Sequence, residues 1–93
     1  MVPKISIIMP NFNSEKYLKS TIRSVINQSF KQWELIIIDD NSNNRTKKIL
    51  KSLKNKKIKI KFLKNNKGAA YCRNLAIKNS FGKYLAFIDS DDI

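Results

Sequence analysis

Several residue types are scarce in this sequence, and each shortage excludes a class of protein. Cys72 is the only cysteine of the 93 residues, so no internal disulfide can form, and its apolar neighbours indicate a small buried side chain. No apolar run approaches the roughly 18 residues needed to cross a bilayer. Pro10 and Asn11 interrupt the first run before any cleavage-like site, which is not typical of a signal peptide. We therefore expect a cytoplasmic protein, and peripheral contact with the inner face of the membrane stays open.

Glycine is also rare, and neither of the two glycines lies in the segment that follows the first apolar run. The G-x-G-x-x-G fingerprint of dinucleotide-dependent oxidoreductases is therefore absent.

The length of the chain and its hydrophobic content of 42% allow one domain with a modest core. We assign residues 1–93 to that domain.

Carboxylates are scarce as well, since seven Asp and Glu stand against nineteen Lys and Arg, for a formal net charge of +12. Five of the seven are aspartates in two clusters, Asp39 with Asp40, and Asp89 with Asp91 and Asp92. Crowding like charges in this way is costly unless a cation or hydrogen-bond donors compensate. The clustering is therefore the first indication of a functional site.

Lysine is the residue in excess, and much of it lies in one band. Such a band attracts anions, either as a solvated face or as a surface for a membrane or a polyanion. Aromatic residues are not interleaved with it as a base-stacking platform requires, which argues against a nucleic-acid partner. The members of the band are Lys47, Lys48, Lys51, Lys54, Lys56, Lys57, Lys59, Lys61, Lys64 and Lys67.

The apolar pattern predicts four strands that alternate with three helices. Short continuous runs are typical of strands buried on both faces, whereas spacings of three and four indicate helices. The predicted strands are Ile5–Met9, Leu35–Ile38, Ile58–Phe62 and Tyr84–Ile88. Lysines alternate with apolar residues in the third strand, which places it near a sheet edge, and Ser14 offers the first helix an N-cap. This order predicts an α/β fold with a Rossmann-like parallel sheet of about four strands and flanking helices.

Loops that leave the carboxyl ends of parallel strands lie at one edge of the sheet, where ligands bind in open α/β folds. The loops expected there contain both aspartate clusters and comprise residues 10–13, 39–42, 65–68 and 89–92. An isolated aspartate after a strand ordinarily caps the next helix, and Asp40 alone fits that interpretation. Two clusters at one edge favour a ligand site instead.

Asp89 and Asp91 lie one residue apart at the end of a buried strand, so an extended backbone turns both carboxylates to the same side. Mg²⁺ and Mn²⁺ take oxygen ligands, and Mg²⁺ typically binds one or two carboxylates together with substrate phosphates and water. The D-x-D pattern, with Asp92 adjacent, therefore predicts a site for a divalent cation. Aspartate is common in turns, so the pattern is weak evidence by itself.

Other residues at this edge suit a nucleotide ligand. Phe12, beside Asn13, can stack on a base, and Asp40 can accept a hydrogen bond from a base or a ribose. Gly68 lets the backbone approach a ligand closely, and Arg73 can bind a diphosphate in a forked geometry that lysine cannot match. Each has a structural alternative, because Phe12 can cover the core edge, Gly68 can turn the chain and Arg73 can lie on the surface.

Five motifs follow one another along the chain: I-S-I-I-M-P-N-F-N-S, S-V-I-N-Q-S-F, W-E-L-I-I-I-D-D-N-S, N-K-G-A-A-Y-C-R-N-L-A-I and G-K-Y-L-A-F-I-D-S-D-D. In this order they resemble the beginning of family 2 glycosyltransferases, the large inverting group with the GT-A fold. The resemblance covers nearly the whole chain. Cys72 stands where the family often has alanine before its arginine.

The resemblance implies a role for most residues of the predicted edge. It implies Asp91 as the main metal ligand, with Asp89 and Asp92 beside it. The implied metal is Mn²⁺ or Mg²⁺. The nucleotide-sugar site that it implies, with uridine as the expected nucleoside, consists of Pro10, Phe12, Asn13, Asp40, Gly68, Arg73 and Asp89.

The implied enzyme transfers a sugar from a nucleotide diphosphate donor to an acceptor hydroxyl with inversion, and its metal assists the departing diphosphate. Family members continue beyond the D-x-D into a region that binds the acceptor and supplies the catalytic base. The chain has no histidine as a substitute base, so we expect the donor-binding portion alone to be inactive. The expected partners are a nucleotide sugar and a saccharide or lipid-linked acceptor of polysaccharide biosynthesis.

One interpretation of a different class stays open, a basic module that binds nucleic acid or an anionic membrane through the lysine band. A phosphoacceptor receiver domain fits poorly, because its acidic pair is expected after the first strand. A chain that ends at the fourth strand leaves a sheet edge and apolar surface uncovered. We therefore also expect self-association.

Overall fold

The structure is a computed structural model that describes residues 2–89. Strands and helices alternate along the chain as the apolar pattern predicts, which confirms the α/β class. The elements are β1 (Ile5–Asn11), α1 (Glu15–Ile26), β2 (Trp33–Asp39), α2 (Asn44–Lys51), β3 (Ile58–Phe62), α3 (Ala69–Lys78) and β4 (Tyr84–Phe87). No helix within this part of the chain has the length and apolar character to span a bilayer.

The strands form one parallel sheet in the order β3-β2-β1-β4 among residues 2–89. All seven residues of β2 are buried, which is typical of a parallel strand covered on both faces. β3 lies at one edge and alternates half-buried apolar residues with exposed lysines, so its predicted edge position is confirmed.

Helices cover both faces of the sheet. On one face, α1 and α2 contribute Leu18, Ile22 and Leu50 to a core with alternate residues of β1 and β2. On the other face, Cys72 and Ala76 of α3 pack with Ile8, Ile36 and Ile38. Successive strand residues point to opposite faces, which explains why the continuous run of β2 supplies both cores. Cys72 is fully buried, as predicted.

The helices begin at polar residues, although one predicted cap differs in detail. Ser14 occupies the N-cap position of α1, but its side chain makes no capping hydrogen bond. Its Oγ donates to Asn11 Oδ1 instead, because the preceding loop brings that amide within reach. The N-cap of α2 is Asn43, whose Oδ1 accepts the Thr46 N–H at 2.9 Å.

A buried carboxylate ties the start of β4 to the rest of the sheet. Glu34, 2% exposed, accepts hydrogen bonds from Ser6 Oγ, from the Phe81 N–H at 2.6 Å and from Lys59 Nζ at 2.6 Å. Burial opposes ionisation of Glu34, but the bonds from Lys59, Ser6 and Phe81 outweigh it, and the pKa of the carboxyl is lowered. The group is therefore ionised at neutral pH.

The residues of β4 are all exposed, although the strand pairs with β1, so the prediction that the fourth strand is buried is wrong for the described part of the chain. Tyr84 is 54% exposed and Phe87 is 57% exposed, and Leu85 between them is also accessible. The predicted uncovered apolar surface is present in the described part of the chain. Self-association through it stays a prediction.

Candidate functional site

The loops at the carboxyl edge of the sheet enclose a cavity of about 470 Å³. Asp40 follows β2 and Asp89 follows β4, and both line this one cavity. A parallel sheet with β1 between β2 and β4 makes that meeting possible. Of the residues predicted for the site, those that line the cavity are Pro10, Phe12, Asn13, Asp40 and Asp89.

Asp40 is 8% exposed and holds the turn before α3. Its Oδ1 accepts the Lys67 N–H at 2.7 Å, and its Oδ2 accepts the Gly68 N–H at 3.0 Å. The Asp40 N–H in turn donates to the Asn11 carbonyl oxygen at 2.9 Å, which connects the first two loops. Each carboxylate oxygen has a second lone pair, so Asp40 can hold this turn and also accept a donor from a ligand.

Asp39 has a different role, because it is fully buried and does not line the cavity. Its Oδ1 accepts Asn11 Nδ2 at 2.8 Å and Ser42 Oγ at 2.6 Å, and its Oδ2 accepts the Ser42 N–H at 3.0 Å. The adjacent aspartates thus have different roles. Asp39 supports the loops from below, and Asp40 forms part of the cavity wall.

The first two loops are also joined directly. The Asn13 N–H donates to Ser42 Oγ at 3.0 Å, and Asn13 Oδ1 accepts the Asn43 N–H at 2.7 Å. Asn13 and Asn41 have φ values of 46° and 57°, a left-handed conformation that asparagine tolerates better than most residues. The Asn13 side chain is therefore engaged with protein, whereas Phe12 beside it is 52% exposed at the cavity wall.

Gly68 adopts a backbone conformation that favours glycine. Its φ of 91° favours glycine, and a Cβ at this position would meet nothing within 4 Å. The residue stands at the N-cap position of α3, and its carbonyl oxygen accepts the Cys72 N–H at 3.2 Å. The structure thus shows Gly68 in a turn, and the open space around it is compatible with a ligand approaching the backbone, so its role in binding stays a prediction.

Cys72 lines the floor of the cavity beside Asp40. Burial, followed by the charges of Asp40 and Asp39, raises the pKa of its thiol to about 11. The side chain is therefore a neutral thiol at physiological pH. The sequence predicted a buried side chain but not that it lines the cavity floor. Its position one turn into α3, next to Arg73, could have indicated this.

Arg73 lies beside the main cavity rather than in it. It lines an adjoining space of about 400 Å³ together with Pro10 and Asp89, two residues that the spaces share. Arg73 thus shares this space with the carboxylate that starts the D-x-D pattern. Arg73 therefore lies in a space that shares lining residues with the main cavity, but unlike Asp40 it does not line the main cavity itself.

The predicted metal ligands are described only in part. Asp89 is exposed at the edge of the cavity, whereas Asp91 and Asp92 lie outside the described residues. Within residues 2–89, no group of three or more His, Cys, Asp or Glu side chains is arranged to hold a metal ion. The oxygen donors that meet at this cavity, Asp89 and Asp40, are of the type that suits a hard divalent cation.

Comparison with known proteins agrees with the fold and the ordered motifs. The family model described as Glycosyl transferase family 2 matches residues 6–93. The Escherichia coli protein UDP-Glc:alpha-D-GlcNAc-diphosphoundecaprenol beta-1,3-glucosyltransferase WfgD is 44% identical over 91 residues, which are 96% of this chain and 35% of WfgD.

Two solved structures show the same architecture. TarS of S. aureus in complex with UDP-GlcNAc is 36% identical, with a TM-score of 0.88, over 95% of this chain and 26% of TarS. The mannosyltransferase PcManGT from Pyrobaculum calidifontis, in complex with GDP-Man and Mn²⁺, shares the fold at 15% identity and a TM-score of 0.76, over 98% of this chain and 28% of PcManGT. The chain thus spans about a third or less of these relatives. Sequence, topology and relatives agree, and the chain belongs to glycosyl transferase family 2, with the GT-A fold that its motifs predict.

Proposed function

We propose that this chain is the donor-binding part of an enzyme that transfers a sugar from a UDP-sugar to an acceptor hydroxyl with inversion. The observation that carries the proposal is the cavity at the carboxyl edge of the sheet that Phe12, Asp40 and Asp89 line together. The UDP-GlcNAc bound to TarS and the UDP-Glc in the name of WfgD support a uridine nucleotide sugar as donor.

Each wall of the cavity suits one part of such a donor. The exposed ring of Phe12 offers a surface for a base, and Asp40 can accept an N–H or O–H of the nucleoside. Arg73 is placed to reach a diphosphate from the adjoining space. Pro10 and Asn13 shape the cavity between these groups, and Gly68 orients the turn that Asp40 holds.

A divalent cation, Mn²⁺ or Mg²⁺, fits the oxygen donors at the end of β4. We propose that Asp91 and Asp89 hold it, with Asp92 adjacent. When bound, it would act as a Lewis acid that neutralises charge developing on the leaving diphosphate. The Mn²⁺ in PcManGT, which has the same fold, is consistent with this assignment.

The catalytic base is proposed to come from outside these 93 residues. The sequence has no histidine, and the carboxylates Asp40 and Asp89 of the cavity are assigned to the donor and the metal. The proposed acceptor is a saccharide or a lipid-linked glycan, in line with the diphosphoundecaprenol-linked acceptor in the name of WfgD. We accordingly expect the chain alone to bind donor without transferring sugar.

Calorimetry with UDP in the presence of Mn²⁺ tests the proposal. We expect saturable binding that Asp40→Ala weakens and that Asp91→Ala or chelation of the metal also weakens. Glu15→Gln is the matched control, since it removes a carboxylate that does not line the cavity. UDP binding that survives both alanine substitutions and chelation unchanged would refute the assigned roles.

A further inference from the structure

One face of the sheet is covered incompletely next to β3. Helix α3 packs on β1 and β2, and a groove of about 370 Å³ lies between its C-terminal end and β3. Ile36 and Ile38 form the apolar floor of the groove, and Phe81 forms one wall. This part of the protein takes no part in the proposed donor site.

Lysines border the same groove. Lys59 and Lys61 pair in register with Ile36 and Ile38, so their side chains lie on the groove's face of the sheet. Lys59 Nζ binds Glu34 at 2.6 Å and lies 4.8 Å from the centroid of the Phe81 ring. Lys61 is exposed, and the Lys59–Glu34 contact is the one ion pair within 4.0 Å among residues 2–89.

Apart from the Glu34 that pairs with Lys59, the segment that contains β3 brings no negative charge to this surface. Residues 41–88 contain no aspartate or glutamate, although ten lysines of the band lie there. Lys56 precedes β3 and Lys64 follows it, and both are exposed, so cations extend along the whole edge strand. The field at this edge therefore complements an extended anionic surface rather than a single small anion.

The backbone hydrogen bonds around Phe81 hold its ring at the surface. The ring is 69% exposed, while the Phe81 N–H is held by buried Glu34 and the Gly82 N–H donates to Ser6 Oγ at 2.7 Å. The next residue is confined too, because a Cβ at Gly82 would lie 2.5 Å from the Ser6 backbone nitrogen. A large apolar ring held outward beside lysines is typical of surfaces that lie at the membrane interface.

We propose that the β3 groove surface, defined as Lys56, Lys59, Lys61, Lys64 and Phe81, docks on an anionic lipid bilayer. Lys56, Lys61 and Lys64 contact headgroup phosphates, while Lys59 stays paired with Glu34 beside the Phe81 ring. The Phe81 ring enters the boundary between headgroups and acyl chains. A nucleic-acid partner is less suited to the groove, because its floor is aliphatic and offers no row of aromatic rings for stacking.

Flotation of the full chain with lipid vesicles tests this docking surface. We expect binding to vesicles of equal parts phosphatidylcholine and phosphatidylglycerol, and none to phosphatidylcholine alone. One lysine near such a surface contributes a factor of about five in affinity, so K56Q/K61Q/K64Q should weaken binding by about a hundredfold. F81S should also weaken it while leaving the salt dependence unchanged.

The control K4Q/K19Q/R23Q removes the same charge from exposed positions elsewhere and should change vesicle binding by less than about twofold. Equal weakening by the control, binding to neutral vesicles, or tighter retention on duplex DNA than on anionic vesicles would overturn the proposal. UDP binding and circular dichroism of each variant verify folding. Vesicle binding does not require UDP, so failure of one proposal is separable from failure of the other.

Discussion

Asp39 and Asp40 are adjacent and chemically identical, yet the protein uses them differently. Asp39 accepts three hydrogen bonds from Asn11 and Ser42 beneath the loops, whereas Asp40 accepts the N–H groups of Lys67 and Gly68 at the cavity. Alternation along a strand predicts that neighbours face different ways. Ser42 is only three residues from Asp39, but Asn11 lies 28 residues from Asp39, and Lys67 and Gly68 lie 27 and 28 residues from Asp40. Local pattern alone could not assign these distant partners.

Asp40→Asn tests the role of the carboxylate with little change of shape. One of its two oxygens becomes an NH₂ group that faces the N–H of Lys67 or Gly68, so a hydrogen bond is lost. Urea unfolding should show a loss of about 1–3 kcal/mol, and the affinity for UDP should fall. The control Glu15→Gln lies outside the cavity and should leave UDP affinity unaltered. An Asp40→Asn protein with normal stability and normal UDP binding would be inconsistent with the structure.

Glu34 supports a prediction about pH. Its pKa is lowered in the folded protein, so its contribution to stability is present above its unfolded pKa of about 4.3 and is lost as pH falls through the folded pKa. Glu34→Gln should lower the unfolding free energy by about 1–3 kcal/mol at pH 7. The difference from the parent chain should shrink on acidification.

Urea unfolding across this acidic range provides the measurement. Lys61→Gln is the control, since this neighbouring lysine lies on the same face and pairs with no carboxylate among residues 2–89, and its effect should stay within about 0.5 kcal/mol. A Glu34→Gln difference that grows as pH falls would contradict the assignment. A carboxylate directly before the apolar run of β2 was the available sequence signal, although its partners were not predictable from it.

At the level of elements, the sequence predicted the order of strands and helices, the parallel sheet and the edge position of β3. Apolar periodicity carries this information because burial imposes it on each element separately. Loop details were less predictable. The Ser14 hydroxyl bonds to Asn11 rather than capping α1, since the two residues meet only after the loop has folded.

The two glycines were also not predictable in detail. Both lie in connections between a helix and a strand, but the physical constraint on each is different. Gly68 has a φ of 91° and open space around it, whereas a Cβ at Gly82 would lie 2.5 Å from backbone. Gly68→Ala should destabilise the protein by about 1–3 kcal/mol, because a φ of 91° with a ψ of 162° is essentially confined to glycine. Gly82→Ala should destabilise it more, by about 3 kcal/mol or more, because its Cβ would clash with backbone. Urea unfolding of both variants decides the order, and the reverse order would show that Ser6 moves away at little cost.

At the scale of the whole molecule, two opposing forces act on the exposed strand β4. Tyr84, Leu85 and Phe87 present apolar surface, which favours association, while the net charge of +12 opposes it. Salt screens the repulsion and leaves the apolar term in place. Self-association should therefore increase with ionic strength.

Sedimentation at several salt concentrations measures this balance. Leu85→Lys should shift the chain towards monomer, whereas Tyr71→Lys, at an exposed position of α3, should leave the equilibrium unchanged. A chain that is strictly monomeric at high concentration and high salt would contradict the prediction. The net charge could be read from the sequence, but the exposure of β4 on both faces required the structure.

The central claim is that residues distant in the chain meet at one edge of the sheet to bind a nucleotide and its metal. Paramagnetic broadening of backbone amides by Mn²⁺ in the presence of UDP tests it directly. The carboxyl and amino ends of β1 lie about 20 Å apart, so amides at the two ends of the strands should respond differently. The account predicts the strongest broadening at Phe12, Gly68 and Asp89, and much less at Lys4 and Lys83. Equal broadening at both edges, or broadening centred on the amino ends of the strands, would contradict it.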